Sequence, residues 1–211
     1  KSQRLRQLTA DLVEASKISS GNVKLDMQVI DLVELVYQTS GEFNEKFEQK
    51  ELTIVTKLPK TAVLIRADGR QLYRVIENLY NNVAKYALEK TRVYVDIAYV
   101  EEKVVFSIKN VSEHSLAREN SNAGDLTERF IRGDSSRTTE GSGLGLSIAK
   151  SLTVLMGGVF DIKVDGDLFK ASITFPQYVD ENSSNPKMEE PASEDDYEIE
   201  ELEPEERTEE E

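Results

Sequence analysis

The sequence predicts an α+β chain, a mixed sheet with helices on one face, and three observations lead there. Alternating segments and segments with one apolar helical face follow each other in runs, without strict βαβ alternation. The helical segments from Asp31 and from about Asp68 to Leu88 each carry a single apolar stripe, so each has one face to bury. The ordered part closes on two alternating segments joined by Asp165-Gly166-Asp167, a turn-forming sequence.

Composition sets the outer limits. A chain of 211 residues can bury a substantial core in one good-sized domain. The absence of cysteine excludes disulfides, thiolate zinc sites and cysteine nucleophiles, and is compatible with a reducing cytosol. No apolar run approaches the ~20 residues of a membrane span, and no signal-peptide pattern is present. The chain starts at Lys1 without a methionine and is expected to be part of something longer, with a membrane segment upstream left open.

The net charge of −14 is unevenly placed. Residues 180–211 hold 16 acidic residues against Lys187 and Arg207, a net of −14, while 1–179 balance 24 acidic with 24 basic residues. The body therefore gives no reason to expect a nucleic acid, and a single histidine gives no metal cluster.

In order, Leu5, Leu8, Leu12 and Ala15 recur at heptad spacing within a helix over 1–18, with Ile18 after them and Gly21 as a stop. Just over two heptads are too few to stand alone, so this reads as the end of a helix from a bundle, or as one side of a surface helix. Leu25, Met27 and Val29 alternate in a short strand over 24–30. Asp31 caps a helix through Leu32, Leu35, Val36, Phe43 and Phe47. Strands at 52–58 and 62–65 are joined through Pro59, and the helix at 68–88 follows. Strands at 93–100 and 104–109 pair across Glu101-Glu102.

Residues 110–141 lack periodicity and are rich in Ser, Asn, Gly and Arg, which reads as a functional lid or disorder. A helix opening at Gly141–Lys150 ends at the C-cap signal Gly157-Gly158. Strands at 159–164 and 168–175 form the closing hairpin. From Asp180, dense Glu and three of the five prolines predict a disordered tail.

Two stretches carry candidate chemistry. In GSGLGLSIAK, three alternate glycines stand before an amphipathic run with Leu144, Ile148, Leu152 and Leu155 on one face. Without Cβ atoms, backbone N–H groups there can approach a phosphate closely, and a helix N-terminus adds favourable field. Alone, this pattern equally describes a flexible loop ahead of a core helix. The second stretch is the helix 68–88, whose stripe is Leu72, Val75, Ile76, Leu79, Val83 and Ala87. Asn78, Asn82 and Lys85 fall together on its flank at spacings of 4 and 3. Three poor helix formers in five residues (Asn78, Asn81, Asn82) cost local stability without visible structural gain. An amide offers its carbonyl to Mg²⁺ and its NH₂ to a phosphate oxygen, and Lys85 adds charge; the alternative is an exposed polar face.

DGRQLYRVIENLYNNVAKYA resembles the asparagine-rich box of sensor histidine kinases, and LTERFIRGDSSR with GSGLGLSIAKSLTVLMGG resembles their phenylalanine box and second glycine box, in the same order and spacing. LTADLVEASKISSG resembles the end of the second helix of the dimerisation and phosphotransfer domain that precedes the catalytic domain. The resemblance covers about 1–178. It implies the Bergerat-type ATP-binding fold shared with gyrase, mismatch-repair ATPases and a heat-shock chaperone. Residues 1–20 would end the phosphotransfer helix, 24–178 would form the catalytic domain, and 179–211 would be the acidic disordered tail.

The resemblance implies ATP and Mg²⁺ as cofactors. Asn78 and Asn82 would ligate the metal, with Asn82 bridging it to phosphate, and Lys85 and Tyr86 would face phosphates and sugar. Gly141, Ser142, Gly143, Leu144, Gly145 and Leu146 would form the loop whose amides cradle the triphosphate. Phe130, Arg132 and Arg137 would lie in the lid, where an arginine stabilises charge on the transferring group. The ATP-hydrolysing relatives place a general-base Glu where this chain has Asn78, and Glu77 points roughly 100° away around the helix. The implied reaction is therefore transfer to a side chain, not hydrolysis.

The acceptor histidine is expected upstream of Lys1, so this segment would bind nucleotide without phosphorylating itself. His114, in SEHSLA, lacks the acceptor pattern and reads as a loop residue. Implied partners are the chain's own phosphotransfer domain, a response regulator and, in the whole protein, a second copy, within the cytoplasmic part of a membrane-bound bacterial protein. The first glycine box departs from the family: after VVFSIK the chain reads Asn110-Val111-Ser112-Glu113-His114. The family Asp accepts a hydrogen bond from the adenine amine, and Asn110 would have to do so without charge. Two further readings stay open: a degenerate ATP-binding scaffold, and a serine kinase of the anti-sigma type, against which the bundle-like helix 1–18 argues. The tail would keep the chain soluble or compete with ATP for Arg132 and Arg137.

Overall fold

The computed structural model describes residues 23–113, 144–179 and 197–202, together with Thr9 and Val13. Thr9 and Val13 are helical; the remainder of the helix expected over 1–18 lies outside the described residues.

The elements are β1 (Gln28–Asp31), α1 (Leu32–Glu48), β2 (Thr53–Pro59), β3 (Leu64–Ala67), α2 (Gly69–Tyr86), β4 (Arg92–Val100), β5 (Lys103–Val111), α3 (Gly145–Leu155), β6 (Val159–Asp165), β7 (Leu168–Pro176) and β8 (Tyr197–Leu202). Six strands form one mixed sheet in the order β6-β7-β5-β4-β2-β8, parallel only between β2 and β4. β1 and β3 form a separate antiparallel pair, tied to the large sheet by the Ile65–Gln177 bridge and by Tyr178 N donating to Leu64 O at 2.8 Å.

Alternation along the strands decides which face is covered. Ile54, Leu58, Val93, Val95, Ile97, Val104, Phe106, Ile108, Phe169, Ala171 and Ile173 are buried towards the helices. The intervening Tyr94, Lys163 and Lys170 are exposed. The result is the expected two-layer arrangement, with α1, α2 and α3 on one face of the sheet.

Local chemistry places the helix ends. Asp31 accepts from Val33 N at 3.0 Å and from Val63 N at 3.1 Å, so one carboxylate caps α1 and holds the approach to β3. Val63 is consumed by that cap, and β3 therefore starts at Leu64, not at 62. The strand expected over 24–30 is shorter for a related reason. Its ladder begins where Gln28 meets Ala67, the last residue of β3, and upstream of it Asp26 N donates to the Asp68 carboxylate instead.

α1 and α2 meet through aromatic rings. Phe47 stacks on Tyr80 with centroids 5.9 Å apart, Phe43 tilts against Tyr80 at 5.3 Å, and the Tyr80 hydroxyl shares a hydrogen bond with Ser40 at 2.8 Å. α3 ends in a Schellman turn, with Gly157 N bonded to Val154 O and Gly158 N to Thr153 O, and Gly157 at φ +84°. Gly166, at φ +62°, is the first of two residues linking β6 to β7.

One finding corrects the reading of the tail. Residues 197–202 are not part of a disordered segment. They form β8, antiparallel to β2 from Tyr197 opposite Pro59 to Leu202 opposite Ile54. An acidic composition disfavours a packed core, but an open sheet edge needs only backbone donors and acceptors.

Candidate functional site

The site is built on α2, whose start is fixed by Asp68. Its carboxylate accepts from Asp26 N at 2.9 Å and Gln71 N at 3.1 Å. Burial raises its pKa, but the N–H groups of Asp26, Gln71 and Arg70 outweigh this and hold it below the usual carboxylate value. Leu72, Val75, Ile76, Leu79 and Val83 are fully or almost fully buried, which fixes the rotation of the helix about its axis. Asn78, Asn82, Lys85 and Tyr86 are consequently half-buried.

The first residues of α3 come directly against this flank. A Cβ added to Gly145 would stand 3.1 Å from Asn78 Oδ1 and 3.7 Å from its Cγ, so the absence of a side chain at Gly145 allows the contact. The α3 N-terminus has no side-chain cap and no acidic residue in its first turn. Its orphan N–H groups therefore favour an anion beside Asn78. Leu144 stands at the N-cap and its carbonyl accepts from Ile148 N at 2.9 Å and Ser147 Oγ at 2.7 Å. Leu146 is buried in the core and anchors the turn.

Two neighbours of Asn78 face elsewhere. Asn81 is exposed and accepts from Lys46 Nζ of α1 at 3.1 Å. Glu77 acts on Tyr73, whose phenol is pushed up to about 12, first by its hydrogen bond to Glu42, then by burial and then by the Glu77 charge. Both observations put these side chains on the α1 side of the helix, away from Gly145.

The C-terminal end of α2 is clamped to the end of β5. Glu113 N donates to Tyr86 O at 2.8 Å, Leu88 N to Val111 O at 2.9 Å, and Ala87 bridges to Ser112. Lys50 Nζ donates to Lys85 O and Ala87 O, both at 3.1 Å, and lies 3.7 Å from the Glu113 carboxylate. Lys50 was not legible as a site element, because its partners are 35 and 37 residues away in sequence. Lys85 Nζ sits 4.7 Å from the Tyr86 ring centroid.

This clamp brings Asn110 of β5 beside the end of the asparagine helix. Asn110 is 2% exposed, and its Nδ2 donates to Val111 O at 2.9 Å. Its Oδ1 is buried with no hydrogen-bond partner among the described residues. Buried acceptors left so are rare, and this one fits a ligand that presents an N–H donor. Phe130, Arg132, Arg137, Gly141, Ser142 and Gly143 lie outside the described residues.

The family model of the histidine kinase-, DNA gyrase B- and HSP90-like ATPases matches residues 67–187, more than half of the chain. The chain belongs to that family. Among the histidine-kinase-type members, it is 25% identical over 177 residues to the sensor histidine kinase WalK of Bacillus subtilis, covering 82% of this chain and 29% of WalK. It is 29% identical over 163 residues to the sensor protein VanSC of Enterococcus gallinarum, covering 75% of this chain and 43% of that protein. The chain thus spans less than half of either relative.

Solved structures agree on the fold of this histidine-kinase-type domain. The Acinetobacter baumannii histidine kinase AdeS superimposes with a TM-score of 0.67 at 17% identity, covering 83% of this chain and 79% of AdeS. Full-length ShkA, solved in complex with AMPPNP, gives 0.68 at 21% identity, covering 82% of this chain and 36% of ShkA.

Proposed function

We propose that this histidine-kinase-type domain binds Mg·ATP between α2 and α3 and donates the γ-phosphoryl to a histidine on a helix upstream of Lys1, from which a response regulator takes it. The observation that carries this reading is the packing of Asn78 against Gly145, which joins the asparagine helix to the glycine-bearing helix start. The AMPPNP bound in ShkA supports nucleotide as the ligand class.

The residues fit such a ligand. Asn110 Oδ1 supplies a buried acceptor for an exocyclic amine, and the uncapped start of α3 supplies N–H groups for phosphate. Asn78 and Asn82 would offer amide oxygens to the metal. Both are neutral, so the ion would draw most of its binding from phosphate and water. Lys85 would add charge near the phosphates. When bound, Mg·ATP supplies an electrophilic phosphorus whose charge the metal offsets.

What the chain's own groups omit matters equally. With Asn78 at the general-base position and Glu77 acting on Tyr73 on the α1 side, no carboxylate of α2 is placed to orient water at the Gly145 face. The reading is transfer, not hydrolysis. In it, Arg132 and Arg137 serve the lid, 1–20 end the phosphotransfer helix, and the domain works within a dimer of a longer, membrane-anchored protein.

The test extends the chain upstream to include the expected histidine helix and supplies γ-labelled ATP. Acid-labile label on that histidine is the expected result. Nucleotide binding without any labelled histidine would leave a binding scaffold in place of a kinase.

A further inference from the structure

The face of the large sheet opposite α1, α2 and α3 holds an unusual row. Strand registers place Glu201, Val55, Tyr94, Lys109, Lys170 and Lys163 opposite one another in turn, across all six strands from β8 to β6. Lys163 and Lys170 are exposed, and Lys109 Nζ lies 4.7 Å from the ring centroid of Tyr94, itself 40% exposed. Three lysines directly opposite one another on adjacent strands repel, which costs the sheet stability. Among the described residues, none of the three has an ion-pair partner within salt-bridge distance. Acids flank the row on that face: Asp96, opposite Lys57 and Ser107, feels the charges of Lys57, Lys170 and Lys109, and Asp161 and Asp165 stand two residues to either side of Lys163.

We propose that this lysine row is a docking surface for an acidic extended segment, and that its occupant is residues 203–211 of the same chain. Charge and connectivity both point to that occupant. Residues 203–211 read EPEERTEEE, six Glu against one Arg. They follow Leu202, which pairs with Ile54, one position from the Glu201–Val55 pair that heads the row. β8 therefore delivers this acidic segment at the level of the lysines. Five strand intervals separate β8 from β6, about 24 Å at the usual spacing. Nine extended residues reach about 30 Å, enough to cross to Lys163. Docking would offset the lysine repulsion, and it uses none of the residues assigned to the nucleotide site.

The chain has no cysteine, so Thr208→Cys carries a single nitroxide label on the whole chain. With label and ¹⁵N on the same copy, diluted in unlabelled protein, the amides of Tyr94, Lys109, Lys163 and Lys170 are expected to lose intensity. The loss should disappear in about 1 M salt, where the Debye length is about 3 Å, and in the K109E/K170E variant. The proposal is overturned if these amides keep full intensity at low salt. It is also overturned if broadening centres on Asn78–Lys85, or if it occurs only with label and isotope on different copies, which assigns the surface to a second chain. Salt reversal on the unsubstituted sheet keeps the test valid should K109E/K170E fold poorly.

Discussion

Asn78 and Gly145 touch across the interface of two helices, with only 3.1 Å between the Asn78 oxygen and the place where a Cβ on Gly145 would be. Gly145→Ala therefore separates function from stability. Gly145 is the first residue of α3, where alanine gains only part of the ~1 kcal/mol it gains over glycine in a helix interior, so the melting temperature should change little. The added methyl pushes Asn78 off its position, and affinity for Mg·ATP should fall about tenfold, equivalent to ~1.4 kcal/mol. Calorimetric melting beside a nucleotide titration reads both effects.

Gly158 makes the opposite case. A Cβ there would meet the buried Phe175 ring at 2.6 Å and Thr153 Cγ2 at 2.9 Å. Gly158→Ala should destabilise the domain by about 1–3 kcal/mol as the ring is displaced. Urea unfolding should show a lower midpoint with an unchanged slope, and nucleotide affinity at low temperature should remain.

Asn110 tests whether the buried orphan oxygen exists for a ligand. Leaving a buried acceptor unpaired costs about 1–3 kcal/mol. Asn110→Leu should hold or gain stability while weakening ATP binding, measured by thermal melting with and without nucleotide. Equal loss of stability in both conditions would show that Oδ1 serves the fold alone.

Asp68 gives a pH dependence with a defined sign. Its folded pKa lies below the ordinary 3.8, so its ionised form is favoured by folding. That contribution is present above about 3.8 and is lost as pH falls through the lower folded value. Asp68→Ala should cost about 0.5–2 kcal/mol at neutral pH, the usual range for a lost N-cap. Its deficit against the unsubstituted chain should shrink as pH falls below 3.8, which acid titrations of both proteins would measure.

What the sequence revealed tracks how local the physics is. Asp31 as a cap, Gly157-Gly158 as a helix stop and Gly166 in the last hairpin follow from a few adjacent residues, and all three stand in the structure. The Asn78–Asn82–Lys85 flank was legible because helical spacing fixes it. Lys50 and β8 were not, since each depends on a partner far along the chain. β8 was further masked by its composition: Tyr197 and Ile199 do alternate with Glu198 and Glu200, but the surrounding acid read as tail. The free oxygen of Asn110 is likewise a property of packing, invisible until β5 and the end of α2 are brought together.

The most direct test of the account is isothermal titration of the chain with ATP in the presence of Mg²⁺, repeated with Asn82→Ala and Gly143→Ala. Saturable binding to the unsubstituted chain, sharply weakened in both variants, is the predicted result. Absence of binding, or identical isotherms for all three proteins, would contradict it.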